Sequence, residues 1–381
     1  MATHSAADFK VVIAGGGIAG LEAVLALRAL AGPDLQITML AADPEFVHRP
    51  MRVEEPFAGP LAHHYQLSEL AADIGFTLVR GALTEIDAAQ RLLIADGGEP
   101  LPYDALLLAL GARPRPAFAH ALTLNDRELD EQMRGVVQDV EGGYARRLAF
   151  IAPPRMPWPL PLYELALMTA HRGWEMGEEV SVSVVTPERS PLELFGAAAS
   201  LAVAEHLREA GIEVFTATTC ETPHANEVLL HGAGRTLSVD RVVAMPELFG
   251  PQITGLPQLA EHGFIPVDAE CRVSGLERVF AAGDATDSSV KFGGFAARQA
   301  DLAARAIAAL AGITVEPESS RPLIHGTLLG GRHPLHLVAD LSGAPDALSA
   351  ASEEPSWTPA GKVSARYLAP YLERRHAERP R

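Results

Sequence analysis

The feature that most constrains this chain is a short run near its start, Gly15-Gly16-Gly17-Ile18-Ala19-Gly20. It has the form G-x-G-x-x-G and joins a β-branched stretch, Lys10 to Gly15, to a helical pattern from Ile18 to Leu30 that ends near Gly32-Pro33. A second apolar run, Gln36 to Leu40, follows. Strand, glycine turn, helix and strand in about 30 residues spell a right-handed βαβ unit on a parallel sheet. In such a turn the first glycine permits the tight bend, the second lets a pyrophosphate approach the backbone, and the third allows helix to pack closely on strand. The helix N-terminus then offers N–H groups to the phosphates. Glu22, near the helix start, suits the positive end of the helix dipole. An acidic residue is expected where the second strand ends, to bind a ribose hydroxyl. Alanine stands there instead, in Ala41-Ala42-Asp43, so either Asp43 reaches back or backbone and water hold the ribose.

With 381 residues the chain has room for two medium domains and a short tail. Ala42 to Pro60 reads as an extended loop rich in Pro and charge. Phe76 to Arg80, Arg91 to Ala95 and Tyr103 to Leu110 read as strands, the last closed by Gly111. Arg113-Pro-Arg-Pro116 reads as a linker. A second α/β pattern follows, with strands at Arg147 to Ala152, Glu179 to Val185 and Ile212 to Thr216, and helices at Leu162 to His171 and Ala197 to Ala210. Then comes Val279-Phe-Ala-Ala-Gly-Asp284, a strand that delivers a carboxylate at a glycine turn, and an alanine-rich helix from Phe295 to Leu310. Either one βαβ domain is inserted into another or one follows the other.

Three motifs together, Gly15 to Gly20, Leu107-Leu-Ala-Leu-Gly111 and Ala281-Ala-Gly-Asp284, resemble the FAD-binding pattern of the flavoproteins built from two dinucleotide-binding domains. The chain is most similar to their sulfide:quinone oxidoreductase and flavocytochrome c sulfide dehydrogenase branch, over roughly residues 9 to 310. The resemblance implies an α/β fold with two Rossmann-like dinucleotide-binding domains and a small C-terminal cap. Residues 1–115 and 265–320 would form the FAD domain, split around a second NAD(P)-type domain at 116–264, with the cap at 321–381. It implies tightly bound FAD. The cofactor would meet Gly15, Gly17, Ile18, Ala19 and Gly20 at the pyrophosphate, with Ala41, Ala42, Arg49 and Ala82 beside it. Ala109, Leu110 and Gly111 would lie towards the adenine side, and Gly283 and Asp284 at the ribityl chain. Gly293 and Gly294 would begin a helix whose positive end points at the flavin pyrimidine. Lys291 would either add a full charge there or sit solvated on the surface.

The second domain lacks the glycine loop that the family uses for NAD(P)H. The strand Leu148 to Ala152 runs instead into Pro153-Pro-Arg-Met-Pro-Trp-Pro-Leu-Pro161. Proline has no N–H and a fixed φ, so this loop cannot cradle a pyrophosphate in the usual way. We take the nicotinamide site to be lost. For Trp158 we favour a stiffened loop over a place near the flavin. The paired redox cysteines of sulfide-oxidising relatives are also missing. Cys220 and Cys271 have no C-x-x-C spacing and read as small buried apolar residues. His63 and His64 are neighbours that face different sides. His325, His333 and His336 fall close together without a supporting cysteine or carboxylate, so no metal is expected.

A formal charge of −17 argues against nucleic acid as a partner. Only short apolar runs occur, which excludes a membrane span. The basic, aromatic stretch Lys362 to Arg381 offers at most weak peripheral contact with anionic lipid, and a cap packed on the flavin domain is the preferred reading. A polar start without a charged-then-apolar leader and the scarcity of cysteine lead us to expect a cytoplasmic protein. The function expected is that of an FAD-dependent oxidoreductase, passing electrons from an unidentified donor to an acceptor such as a quinone or redox protein. Two alternatives stay open: an NAD(P)H-dependent flavin reductase with an altered nicotinamide loop, and a non-catalytic flavin-binding sensor or partner protein. The redox partner is a small molecule or a protein, and the oligomeric state is left open.

Overall fold

The computed structural model describes residues 8–232, 234–259, 261–316, 322–330, 333–344, 347–358 and 361–377, apart from the side chains of 49–51. The helices are α1 (Ile18–Ala31), α2 (Leu67–Ile74), α3 (Leu129–Glu141), α4 (Leu160–Glu175), α5 (Gly196–Glu209), α6 (Gly293–Leu310) and α7 (Leu368–Ala377).

A first five-stranded sheet runs in the order Val279–Ala281, Ala105–Leu108, Lys10–Ala14, Gln36–Ala41, Thr77–Arg80, with every neighbouring pair parallel. Val11 to Ala14 and Ala105 to Leu108 are buried without a break. Such continuous apolar runs mark parallel strands covered on both faces. From Lys10–Ala14 the chain moves to Gln36–Ala41 on one side, and Ala105–Leu108 lies on the other. The strand order therefore reverses there, and ligands of open α/β sheets bind at the carboxyl ends of strands at such a point.

Helices α1 and α6 pack along each other. Their facing surfaces carry Ala19, Ala23 and Ala26 on one side and Ala296, Ala300, Ala303 and Ala304 on the other, all within one buried core. Small side chains let the two backbones approach, and this brings both N-termini to the same edge of the sheet.

A second parallel sheet has the order Leu122–Thr123, Arg241–Ala244, Arg147–Ile151, Ser181–Val185, Glu213–Phe215. It repeats the reversal, between Arg147–Ile151 and Arg241–Ala244. The chain passes between the two units along an antiparallel pair, Arg113–Arg115 with Glu247–Phe249. Beyond Phe249, Ile253 already packs with Leu83, Ile86 and Leu93 of the first unit, and Thr254 bridges Glu85. The C-terminal region serves both units. Its antiparallel sheet, Leu323–Leu328, Leu335–Asp340 and Ser349–Ser352, puts Ile324, Leu335 and Leu337 into the core of the second unit. Helix α7 puts Leu368, Tyr371 and Leu372 into that of the first.

One expectation changes. The stretch Ala42 to Pro60 is not a featureless loop: it holds the strand Glu45–Val47, paired with His64–Gln66, and a 3₁₀ helix, Arg49–Phe57. A three-residue strand is too short to establish a pattern of alternation, and the prolines in Arg49–Phe57 disguise a helical turn.

The fold separates two glycines of the loop. A Cβ at Gly20 would lie 2.0 Å from the Gly15 carbonyl oxygen, whereas one at Gly17 would meet nothing within 4 Å. Gly20→Ala is expected to cost the apoprotein about 1–3 kcal/mol, and Gly17→Ala to stay within about 1 kcal/mol of the parent. Urea unfolding of the two variants checks both.

Candidate functional site

The glycine loop is built against backbone. Gly15 has φ +119°, a conformation closed to other residues, and a Cβ there would lie 2.1 Å from the Ala109 carbonyl oxygen. Gly15 N–H donates to Leu40 O at 2.8 Å and Ala109 N–H to Ala14 O at 2.8 Å, so the loop is pinned to both neighbouring strands. Gly17 then occupies the N-cap of α1 with ordinary φ. No protein atom requires glycine at this position. The open space at Gly17 is room for a ligand, and the leading N–H groups of α1, at Ile18 and Ala19, have no acceptor within the helix. This is the cradle a pyrophosphate needs, and FAD fits it.

Four other expected segments lie around the loop. A Cβ at Gly283 would lie 3.6 Å from Ala19 Cβ and 3.2 Å from Ala296 Cβ. A Cβ at Gly293 would lie 2.7 Å from Ile18 Cδ1, so the first residues of α1 and α6 meet. Gly81 N–H donates to Ala41 O at 3.1 Å, which sets Ala82 beside the end of the Gln36–Ala41 strand, and Ala42 O accepts from Arg80 Nη2 at 2.6 Å. Leu110 and Gly111 follow directly on Ala109, with open space at Gly111. A Cβ at Gly294 would lie 2.8 Å from the Phe292 ring and 3.4 Å from the Ser364 carbonyl oxygen. The side chain of Arg49 lies outside the described residues.

Half-buried Asp284 stands in the turn Gly283–Ala285. That turn is fixed by Gln299, a residue the sequence did not single out: its Oε1 accepts from Gly283 N–H at 2.8 Å, and Thr286 Oγ1 donates to Gly283 O at 2.9 Å. Lys291 is buried rather than solvated on the surface. Its Nζ donates to the carbonyls of Asp284, at 3.1 Å, and Thr286, at 2.6 Å, and lies 3.8 Å above the Phe264 ring. Burial lowers its pKa to about 8. These bonds tie it to the Asp284 turn. Asp43 does not reach back freely either: its Oδ2 pairs with Arg127 at 3.0 Å.

Glu22 also departs from expectation. It is fully buried rather than placed at the helix dipole, and its two oxygens accept from the N–H groups of Tyr367, at 3.0 Å, and Leu368, at 2.6 Å. Burial pushes its pKa up to about 7.

In the second unit the proline loop is rigidly held. Arg155 bonds Glu247 at 2.9 Å and His262 at 2.7 Å, tying the loop to the crossing strand. Trp158 of that loop is held between two aromatic rings. Its indole stacks on Phe292, the N-cap residue of α6, at 3.9 Å and 10°, and leans on Phe195 at 5.6 Å. Beyond the Ser181–Val185 strand, where a nucleotide-binding unit would turn an acidic residue towards a ribose, Glu188 points inward. It is buried and receives the hydroxyls of Tyr163, at 2.6 Å, and Thr186, at 3.1 Å, with the Glu193 N–H at 3.2 Å. Burial raises its pKa to about 7. A further pair was not foreseen. Glu164 on α4 is wholly buried and bonded to Lys362 at 2.7 Å, and it also accepts from Leu329 N–H at 3.0 Å. Burial raises the Glu164 pKa, and Lys362 opposes that rise. The one signal in the sequence was a carboxylate inside the apolar run Leu160 to Met168.

Cys220 and Cys271 are buried free thiols in different cores, each pushed up to about 12 by burial. The His63 ring lies 4.5 Å from that of His376, tilted by 49°, while His64 bonds Glu45 at 3.0 Å. Among the described residues no group of His, Cys, Asp or Glu has the arrangement of a metal site, and no helix is long and apolar enough to cross a membrane. Of the basic C-terminal side chains, Arg375 pairs with Asp73 and Glu69, and Arg366 with Asp301. Arg379 and Arg381 lie outside the described residues.

Residues 9–144 and 164–309 match the family model of the pyridine nucleotide-disulphide oxidoreductases. The chain belongs to that family. It is an FAD-dependent oxidoreductase. The match passes over 145–163, the interval that holds the proline loop. Among solved structures, the sulfide:quinone oxidoreductase from the hyperthermophilic bacterium Aquifex aeolicus has a TM-score of 0.80 at 17% identity, over 91% of this chain and 87% of its own. A ferredoxin reductase from Rhodopseudomonas palustris gives 0.66 at 21%, over 88% and 83%. A putidaredoxin reductase, solved in covalent complex with putidaredoxin, gives 0.63 at 20%, over 88% and 82%. At these identities the likeness carries the fold. No curated protein matches the sequence.

Two outcomes follow for the buried carboxylates of this oxidoreductase. The unfolded chain loses the Glu188 proton near the ordinary value of 4.5, and the folded chain keeps it to about 7. The stability this group adds is complete below that lower value and disappears as pH climbs through the upper one. Urea midpoints should fall between pH 5 and 7.5, with a shallower slope in Glu188→Gln. Lys362→Met strands a buried carboxylate and should cost about 3–5 kcal/mol, while Glu164→Leu with Lys362→Met together should recover most of it. Thermal melts of the single and double variants decide this.

Proposed function

We propose that this enzyme exchanges electrons with a flat quinone-type molecule or a redox protein, and that its second unit has given up the nicotinamide dinucleotide site. One observation carries the reading: the loop at the strand reversal of the second unit is proline-rich, and its Trp158 is stacked on the N-cap of α6. Pro153, Pro154, Pro157 and Pro159 offer no N–H to a pyrophosphate. Glu188 is committed to Tyr163 and Thr186 and offers nothing to a ribose. The two cysteines are buried and held as thiols, which speaks against a thiolate relay.

We assign the FAD contacts to the residues named from the sequence, with the first unit resuming near residue 250 rather than 265. FAD, when bound, supplies two-electron chemistry at its ring. The chain supplies position and charge. The N-terminus of α1 favours the pyrophosphate and that of α6 favours negative charge at the pyrimidine end. Trp158, Phe292 and Phe295 form a half-exposed aromatic patch beside the latter, suited to stacking a flat ring. Lys362 Nζ and Glu164 Oε1 form a buried pair at 2.7 Å. The redox-protein reading has its own support in the putidaredoxin reductase, solved with its protein partner.

Anaerobic addition of NADH or NADPH to the purified enzyme should leave the flavin absorbance unbleached over minutes, whereas a reduced quinone or redox protein should bleach it. Rapid bleaching by either nicotinamide would reject the reading. Gly17→Val should lower the FAD content at least about tenfold by filling the pyrophosphate space. Asp284→Ala, losing about 1.5–3 kcal/mol of charge-assisted bonding, should weaken FAD binding roughly ten- to hundredfold with the fold intact. FAD titration of the apoproteins measures both.

A further inference from the structure

A carboxylate inside a helix face that packs in a core is costly unless it makes directed bonds. Glu22 sits on such a face of α1, fully buried, and its bonds go to the first turn of α7, to the N–H groups of Tyr367 and Leu368. A leucine would fill the same space without capping anything. The segment leading into α7 has a second anchor in the other unit, where Lys362 meets Glu164 at 2.7 Å. Between the anchors it lies on the N-terminus of α6. A Cβ at Gly293 would come within 3.1 Å of Val363 Cγ2, and one at Gly294 within 3.4 Å of Ser364 O. Residues 362–368 are thus a strap, fastened to α1 at one end and α4 at the other, and drawn across the helix end assigned to the flavin.

We propose that Glu22 is a positioning residue: by capping α7 it fixes the strap, and the strap sets Lys362, Val363 and Ser364 at the flavin end of the site. The proposal rests on the assignment of α6 as the flavin-facing helix. It makes cofactor retention and closure of the C-terminal segment one linked equilibrium, since α1 serves both the pyrophosphate and the strap.

The test uses the full-length, FAD-loaded chain. Glu22→Gln keeps the shape but turns an NH₂ group towards one of the two backbone donors. Tyr367→Pro removes one donor and leaves α1 untouched, so it carries the test if the glutamine variant does not fold. In either variant, amide exchange over 361–368 should quicken at least about tenfold while exchange in α1 stays within about threefold. The flavin absorption band should shift and FAD release should quicken several-fold. Unchanged exchange over 361–368 overturns the proposal, and so does a loosened strap with the flavin band and FAD release unmoved. Strap exchange is read from the polypeptide alone, so failure here is distinct from failure of the site assignment, which Gly17→Val reports.

Discussion

Backbone meets backbone where Gly15 passes the Ala109 carbonyl, and the rest of the molecule is arranged around that approach. A side chain at Gly15 would collide with the neighbouring strand. Its absence lets the loop turn sharply at the reversal of strand order, and α1 starts where its unpaired N–H groups face open space. The alanine faces of α1 and α6 then fix the second helix against the first. Two positive helix ends thus meet at one edge of a sheet, where main chain alone offers donors to negative charge.

The second unit keeps the topology and changes the chemistry. Both units reverse strand order at equivalent places, but one reversal opens into a glycine cradle and the other into a proline loop. The polar groups that remain beside that loop are occupied by one another: Glu188 by Tyr163, Glu164 by Lys362, Arg155 by Glu247 and His262. A site whose donors and acceptors are satisfied internally has little to offer a polar ligand, because any new bond replaces an existing one.

Much of this was legible in the sequence, for identifiable reasons. The glycine loop, the two α/β patterns and the Gly283-Asp284 turn depend on local spacing, and local spacing is what a sequence displays. The proline loop was legible too, since proline excludes an N–H wherever it stands. What escaped depended on distant partners. Glu22 resembled a dipole partner because nothing near it names Tyr367 or Leu368. Lys291 stayed open between a charge at the flavin end and a surface residue because its carbonyl acceptors are main chain. The packing of Trp158 escaped because Phe292, its stacking partner, lies far along the chain. Glu164 and Lys362 are unremarkable until the fold sets them side by side.

The location of the two cysteines has a consequence for where such a catalyst can operate. With Cys220 and Cys271 enclosed in separate cores and firmly protonated, neither is open to peroxide, electrophiles or soft heavy metals. Disulphide-using enzymes stall when those agents cap a working sulfur. In this flavoprotein both thiols are enclosed, so neither cysteine presents such agents with an exposed sulfur.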